Sequence, residues 1–310
     1  MTLLLAALTL PILFWDHGPE TSKLLLNAHI KHLLVPTSMV ESWRGVAGLS
    51  VEPADPAQRI KLSAPSVTFR YRQASATRAP WVNSNGWRFL RQPDGHYYYD
   101  AQGPAAALAA AEAFMYEADA VIHTDETGLA PLGKMLAFLG QAGDPNFPAS
   151  VNIGFIDDGS PESGEFMNLL VRRNLLVKVV KQPDPHLLTV GVGMPGYSKA
   201  EAAANPSLLA EKVRSALTDE KRLLRIYGSE VVVGRLTGND RVARLDLINY
   251  GAARAPIEGL RVRVCGAYHT VNAVQYDGAT TNVLDIVIGG NGTEFTLPEL
   301  NTFAIINLAR

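Results

Sequence analysis

The sequence predicts an α/β body followed by a C-terminal all-β domain, and two observations lead to this. Over roughly the first 220 residues, short apolar runs alternate with segments of helical period, which indicates a parallel sheet with crossover helices. From Leu223 onward, short strand-like runs recur with turn signals between them. Residues 241–247 and 260–264 alternate polar and apolar side chains, the period of a half-buried antiparallel strand with a solvated arginine face. Several short strands at this spacing indicate a β-sandwich.

The elements follow in order from apolar runs, prolines and glycines. The body begins with predicted strands at 11–15, 31–35 and 49–51 and helices at 20–29 and 37–46. Residues 53–100 have no helical period and contain strand-like runs at 66–71 and 86–90, so they are predicted to be an insertion. The elements predicted after it are a helix at 104–117, a strand at 120–123, a helix at 132–139, a linker at 144–148, a strand at 151–156, a helix at 162–173, strands at 175–180 and 187–192, and an interrupted helix at 199–217. The C-terminal strands are predicted at 230–236, 242–250, 260–268, 282–288, 294–297 and 302–308.

Composition narrows the class of protein. The chain has 310 residues, 47% hydrophobic and 19% charged, and a net charge of -2, which argues against a nucleic-acid partner. Its one cysteine, Cys265, excludes an internal disulfide and is predicted to be a core thiol. Residues 1–10 are apolar and fit either a signal-peptide remnant, with a periplasmic or secreted location, or a strand of a cytoplasmic protein. No other segment is a transmembrane candidate, so no membrane partner is predicted.

The segment 59–91 is rich in cations and leads into a cluster of aromatic residues. It holds seven basic residues and no Asp or Glu. Aromatic faces stack on sugar rings, and Asn and Arg donate to hydroxyls or carboxylates, so the segment suits a carbohydrate, an acidic one included. The alternative is that the aromatics anchor a long loop while the arginines pair with nearby carboxylates. The candidate ligand-binding residues are Arg70, Trp81, Asn83, Asn85, Trp87, Arg88 and Tyr98.

Charged residues also follow predicted strands of the body. Asp16 and His17 come after the first strand, and His123, Asp125 and Glu126 close or follow a later one. Ligands of parallel sheets sit at the carboxyl ends of the strands, where two carboxylates can serve as general acid and base. The same histidines and carboxylates could instead bind a divalent metal, and each residue alone could be a helix cap or a surface charge.

A third candidate is Asp157, which with Asp158 follows a predicted strand and precedes a helix. It could bind a cation or a ligand amine, or stabilise the helix N-terminus. The sequence has no G-x-S-x-G, P-loop, G-x-G-x-x-G, H-E-x-x-H or C-x-x-C motif, so no cofactor is predicted.

The order of parts, together with residues 244–250 (RLDLINY) and 296–300 (TLPEL), resembles multidomain glycoside hydrolases of the β-galactosidase kind. The resemblance implies a short or incomplete (β/α) barrel-like domain at 1–145 with the 53–100 insertion. It further implies a flavodoxin-like α/β unit at 146–220 and a C-terminal antiparallel β-sandwich at 221–310. The first part has about 140 residues, against about 250 for a full barrel.

These features together predict a carbohydrate-active enzyme, a glycoside hydrolase, with Asp16 and either Asp125 or Glu126 as its carboxylates. Its partner would be an oligo- or polysaccharide, and a homo-oligomer is compatible with the sequence. The first alternative is a non-catalytic carbohydrate-binding or assembly protein on a degenerate barrel. The second is a metal-dependent hydrolase using Asp16, His17, His123 and Asp125. The predicted substrate-binding set is His17, Arg70, Trp81, Asn83, Asn85, Trp87, Arg88, Tyr98, His123 and Asp157.

Overall fold

A computed structural model of the chain describes residues 10–70, 79–143, 146–276 and 280–310. The chain divides into two compact units. Unit 1 comprises Met1–Pro65 and Pro93–Asn146, and unit 2 comprises Ser66–Gln92 and Phe147–Arg310. The division after residue 146 falls in the predicted linker, of which residues 144 and 145 lie outside the described residues, as do residues 1–9 of the N-terminal apolar run.

The elements of the described residues begin at Ile12. The helices are α1 (Ser22–Asn27), α2 (Gly86–Arg91), α3 (Ala105–Met115), α4 (Glu126–Ala142), α5 (Pro161–Arg172), α6 (Lys199–Ala204) and α7 (Pro206–Lys221), with 3-10 helices at Pro19–Thr21, Thr37–Trp43 and Pro56–Gln58. The strands up to the end of α7 are β1 (Ile12–Phe14), β2 (His32–Pro36), β3 (Ser50–Ala54), β4 (Ile60–Leu62), β5 (Ser66–Thr68), β6 (Trp81–Asn83), β7 (His96–Asp100), β8 (Asp119–His123), β9 (Ile153–Phe155), β10 (Val177–Val179) and β11 (Leu188–Val190). The remaining strands are β12 (Leu224–Tyr227), β13 (Val232–Gly238), β14 (Val242–Asn249), β15 (Ile257–Cys265), β16 (Thr270–Gln275), β17 (Thr280–Thr281), β18 (Leu284–Gly289), β19 (Gly292–Leu300) and β20 (Phe303–Ala309).

Unit 1 is built on a six-stranded sheet in the order β3-β2-β1-β8-β7-β4, with every neighbouring pair parallel. Leu13, Leu33 and Ile122 lie on adjacent central strands and are completely buried, as expected of a parallel sheet covered on both faces. The alanine-rich helix α3 is buried over Ala106–Met115 and packs on α4, because its small side chains let the neighbouring backbone approach closely. Its one carboxylate, Glu112, accepts a hydrogen bond from the Tyr99 hydroxyl at 2.6 Å.

Asp119, at the start of β8, forms hydrogen bonds with residues of β7 and of the segment that leads into β4. It accepts hydrogen bonds from Arg59 at 2.7 Å, just before β4, and from His96 at 2.6 Å, on β7. Burial alone would raise the pKa of Asp119, but the hydrogen bonds and positive charges of Arg59 and His96 outweigh it and lower the pKa below 3.8.

This lowered pKa predicts an acid-dependent loss of stability. A depressed folded-state pKa stabilises the fold above the unfolded value of 3.8, and the contribution disappears as pH falls through the folded value. We therefore expect Asp119→Asn to be less stable than the wild type at neutral pH and the difference to close below pH 3.8. Urea denaturation of both proteins from acid to neutral pH measures this, and a difference that stays constant into acid would contradict it.

Unit 2 contains a small parallel sheet, β10-β9-β11, beside helix α5. Phe155 of β9 packs edge-to-face on Phe166 of α5, with ring centroids 5.4 Å apart. The short helix α2 also packs on α5, because Gly164 leaves space for the Trp87 ring, which a Cβ there would approach to 2.8 Å.

Two antiparallel sheets form the rest of unit 2, in the orders β12-β15-β19-β18 and β13-β14-β20-β16-β17. Both contribute to one hydrophobic core. Val262 and Phe295 come from the first sheet, Leu245 and Ile306 from the second, and all four are fully buried. The predicted strands at 242–250 and 302–308 correspond closely to β14 and β20, while β12 and β16 lie outside the predicted set.

Several predicted elements were wrong in type. Residues 86–90, predicted as a strand-like run, belong to helix α2, so the 53–100 segment does contain a helix. The helix predicted at 37–46 is a 3-10 helix ending at Trp43, whose ring is buried. Arg244 was expected on a solvated strand face, but it is 4% exposed and donates to Asp246 at 2.9 Å. The alternation of polar and apolar residues does not predict exposure in β14, because this strand is buried on both faces. The charge of Arg244 is paired with that of Asp246 inside the unit.

Across the described ranges, no helix has both the length and the apolar character needed to cross a membrane.

Candidate functional site

The carboxyl edge of the unit 1 sheet gathers polar side chains from three adjacent strands. Asp16 follows β1, His123 is the last residue of β8, and Asp100 is the last residue of β7. Since the strands are parallel neighbours, their ends meet at one edge. The register places Phe14 opposite His123 and His123 opposite Asp100.

His123 is the centre of this arrangement. Its Nε2 lies 3.3 Å from Asp16 Oδ1, and its Nδ1 lies 3.1 Å from Asp100 Oδ1. Its side chain is 19% exposed, while the two aspartates are 46% and 61% exposed, so the carboxylates are open to solvent and the imidazole is partly enclosed. Asp16 also pairs with His17 Nδ1 at 3.0 Å, and the His17 ring stacks on Trp15 at 4.4 Å.

An aromatic wall supports the imidazole. Tyr98 of β7 stacks on His123 with centroids 6.3 Å apart, and Phe14 packs edge-on against both rings at 6.1 and 6.2 Å. Burial, followed by the negative charges of Asp100 and Asp16, raises the pKa of Tyr98 from 10.0 to about 12. The phenol therefore stays neutral over the ordinary pH range and offers both a donor and an acceptor at this edge.

The Tyr98 pKa gives a test of this geometry. Removing one negative charge with Asp100→Asn should lower the Tyr98 pKa towards 10, because a nearby anion disfavours the phenolate. Ultraviolet titration of tyrosinate, read as the difference between each protein and its Tyr98→Phe derivative, isolates this one phenol. An unchanged pKa in Asp100→Asn would show that Asp100 does not act on Tyr98.

The other two predicted catalytic residues have different surroundings. Asp125 is the N-cap of α4, and its Oδ1 accepts from Gly103 N, Thr127 Oγ1 and Gly128 N at 2.8–3.0 Å. These hydrogen bonds lower its pKa. Glu126 is the exposed first residue of that helix, and none of the contacts described for either residue is with Asp16.

The remaining predicted residues belong to unit 2, and most of them hold that unit together. Asp157 pairs with Arg91 at 2.7 Å and is 11% exposed in its side chain. Asn83 bridges the β5–β6 ribbon by donating to Ser66 Oγ at 2.9 Å. Asn85 is buried at the start of α2.

The two tryptophans of the cationic segment differ in their environment. Trp87 packs on Gly164, with Arg88 over its ring at 4.3 Å. Trp81 lines a cleft together with Arg70, whose guanidinium lies 5.2 Å from the ring centroid. The anchoring alternative therefore describes Trp87, whereas Trp81 faces a cavity.

Asp100 is the site residue that the sequence reasoning missed. No strand is predicted over His96–Asp100, although Tyr97 and Tyr99 alternate as buried residues with the half-buried Tyr98. A period of two over these residues would have predicted β7 and placed Asp100 at the same edge as His123. Within the described ranges, no group of three or more His, Cys, Asp or Glu side chains is arranged to hold a metal ion.

No protein-family model and no curated protein sequence matches this chain. Solved structures do. The α-L-fucosidase isoenzyme 2 from Paenibacillus thiaminolyticus is 9% identical over 72% of this chain and 62% of its own, with a TM-score of 0.53. The aligned part of this chain therefore shares the fold of that enzyme. This chain spans less than two thirds of that enzyme's length.

Other glycoside hydrolase structures align at lower scores. A catalytic mutant of a GH42 β-galactosidase from G. stearothermophilus is 7% identical over 88% of this chain and 66% of its own, with a TM-score of 0.39. The β-galactosidase from Bacillus circulans sp. alkalophilus is 10% identical over 96% of this chain and 60% of its own, with a TM-score of 0.37.

Proposed function

We propose that this chain acts on carbohydrate at the carboxyl edge of unit 1, as a glycoside hydrolase with Asp16 as one of its carboxylates. The observation that carries the proposal is the placement of Asp16 and Asp100 on opposite nitrogens of His123. An imidazole with a carboxylate on each nitrogen separates the two oxygens by on the order of 8 Å, within the range of about 6.5–9.5 Å for inverting glycosidases. The open carboxylates beside aromatic rings suit a sugar.

The second carboxylate is Asp100, Asp125 or Glu126. Asp100 shares a partner with Asp16, but the imidazole lies between them, so turnover on that pair requires His123 to rotate away. Asp125 is a weaker candidate for general acid, because the hydrogen bonds that cap α4 favour its ionised form. Glu126 is exposed and not engaged in such a cap.

The strand order of unit 1 supports the proposed barrel-like domain. Starting at β1, the neighbours run β2, β3 in one direction and β8, β7, β4 in the other. Read around a circle, the strands therefore follow chain order, as in a (β/α) barrel, with the opening between β3 and β4. We propose that unit 1 is an incomplete barrel of this kind, that residues 146–220 are a flavodoxin-like unit, and that residues 221–310 are the β-sandwich.

In this proposal the substrate contacts His17, Tyr98 and His123. The predicted unit 2 residues have less support as sugar ligands, because Asn83, Asn85, Trp87 and Asp157 are engaged within unit 2, and Arg88 lies over the Trp87 ring. Arg70 and Trp81 line a cleft within unit 2, so any sugar that they bind would lie in that cleft.

Binding of carbohydrate without turnover is the second candidate function. It is favoured by the cap role of Asp125, whose hydrogen bonds hold that carboxylate at the start of α4. A metal-dependent hydrolase stays a prediction of the sequence alone, since no group of three or more His, Cys, Asp or Glu side chains in the described ranges is arranged to hold a metal ion. Elemental analysis of the purified protein tests it.

A glycan array combined with a screen of aryl glycosides tests the proposed function. We expect at least one saccharide to bind and at least one glycoside of the same sugar to be hydrolysed. Binding without hydrolysis of any glycoside would support the second candidate. The absence of both would overturn the proposal.

A further inference from the structure

Unit 2 contains a cleft of about 430 Å³ whose walls are unusually rich in arginine. The volume is that of a small-molecule site. Two carboxylates and the ring of Trp81 also line it, together with Tyr227 and backbone of neighbouring loops. The arginines in the lining are Arg70, Arg172, Arg173, Arg214, Arg222 and Arg225.

Part of this charge is matched within the unit. Asp219 lies 3.4 Å from Arg222 and 3.3 Å from Arg225, and Glu211 lies 3.7 Å from Arg173. All three pairs are long for charge-assisted hydrogen bonds, which run to about 2.7–2.9 Å. The lining carries six arginines against two carboxylates, Asp219 and Glu230, so the cleft is positively charged.

Arg172 has buried hydrogen-bond donors that lack an acceptor among the described residues. Its guanidinium lies 3.6 Å from the centroid of Trp81, and its Nε and Nη1 are buried with no hydrogen-bond partner among the described residues. Burial, together with the neighbouring arginines, lowers its pKa to about 10 against the opposing effect of Glu165. A buried donor without an acceptor is costly, and an anion in the cleft would remove that cost.

Arg222 gives a second, independent indication. It is 8% exposed, and its Nε is also buried without a partner in the described part of the chain. Its two terminal nitrogens are engaged with Asp219 and with the carbonyl of Arg173, so the side chain is fixed with one donor left over. Arg214, exposed on α7, adds a further guanidinium to the lining, and no salt bridge joins it to a carboxylate among the described residues.

We infer that this cleft binds a small polyanion, a molecule carrying phosphate, sulfate or carboxylate groups, through Arg172, Arg214 and Arg222. Guanidinium forks bind such oxyanions in a bidentate manner, and several of them around one cavity favour more than one negative charge on the ligand. This inference does not rest on the proposed function, because its residues are all in unit 2 and it requires no turnover.

Calorimetric titration of the full chain with inorganic pyrophosphate and with a sulfated disaccharide tests the site, with the unsulfated disaccharide as the neutral probe. We expect saturable binding of at least one anion at near-physiological salt. Binding of both supports a site for the shared oxyanion chemistry, whereas binding of one alone assigns the source as phosphate or as acidic saccharide. Equal binding of the neutral disaccharide, or no binding of either anion at millimolar concentration, would overturn the inference.

Charge-removing variants locate the binding. Arg172→Gln and Arg214→Gln should each weaken the affinity about tenfold or more, and the anion should raise the Tm of the wild type more than that of either variant. Arg214 is exposed, so its variant keeps the test valid if Arg172→Gln does not fold. Arg241→Gln is the matched control, since it removes the same charge from an exposed position of unit 2 outside the cleft. Equal weakening by Arg241→Gln and Arg214→Gln would contradict a localised site.

Discussion

Asp16→Asn is expected to lower kcat/KM by about 10²–10⁴ on any glycoside that the wild type hydrolyses, the usual contribution of a positioned acid–base group. The substitution keeps the size of the side chain and removes its charge. Asparagine can still contact His123, so the arrangement at the carboxyl edge should persist and the affinity for the sugar should change little. Steady-state kinetics and a binding titration on the same variant separate the two effects.

A matched control and a comparison among carboxylates complete this test. Asp94→Asn removes an exposed carboxylate from a turn of the same unit and should leave kcat/KM unchanged. The same measurement on Asp100→Asn, Asp125→Asn and Glu126→Gln identifies the second carboxylate. It is the residue whose substitution lowers kcat/KM as much as Asp16→Asn does. Full activity of Asp16→Asn would remove it from the mechanism.

Asp246→Ala is expected to destabilise unit 2 by about 3–5 kcal/mol, because it leaves the buried charge of Arg244 without this carboxylate. The side chains of Arg244 and Asp246 are only 5% and 8% exposed, and their nearest atoms are 2.9 Å apart. Replacing both, as in Arg244→Met with Asp246→Leu, should cost much less, because no charge then remains to be buried. Urea denaturation of the three proteins measures the free energies of unfolding.

The control for this prediction is an exposed ion pair of the same unit. Lys178 and Asp184 lie 3.8 Å apart, with the lysine side chain 46% exposed, and Lys178→Ala should cost less than about 1 kcal/mol. If Asp246→Ala were no more destabilising than Lys178→Ala, the buried pair would not contribute as argued.

The parts of the fold with a clear hydrophobic period were predictable from the sequence. The central strands of unit 1 and the strand β20 are rich in branched apolar residues, and their burial follows from that composition. The helix predicted at 132–139 is too short, because α4 spans Glu126–Ala142 and includes Pro131. The start of the helix is set by the Asp125 cap, whose side chain accepts a hydrogen bond from Gly128 N, and not by the apolar period.

The candidate site was predicted in part, and the missing part has a physical reason. Asp16, His17 and His123 follow buried strands, so the rule for parallel sheets placed them at one edge. Asp100 could not be placed while β7 was unrecognised, since only pairing of β7 with β8 brings it beside His123. The cleft around Arg172 depends on contacts between α5, α7 and β6, distant in sequence, which no local pattern encodes.

The most direct test of the account is a calorimetric titration of the best saccharide from the array into His123→Ala, with His32→Ala as the control. His123 stands at the carboxyl edge of the unit 1 sheet, and His32 begins β2 at the opposite edge of the same sheet. We predict at least a tenfold loss of affinity, about 1.4 kcal/mol, in His123→Ala and wild-type affinity in His32→Ala. Equal affinity in both variants would show that the saccharide binds elsewhere and would contradict the proposed site.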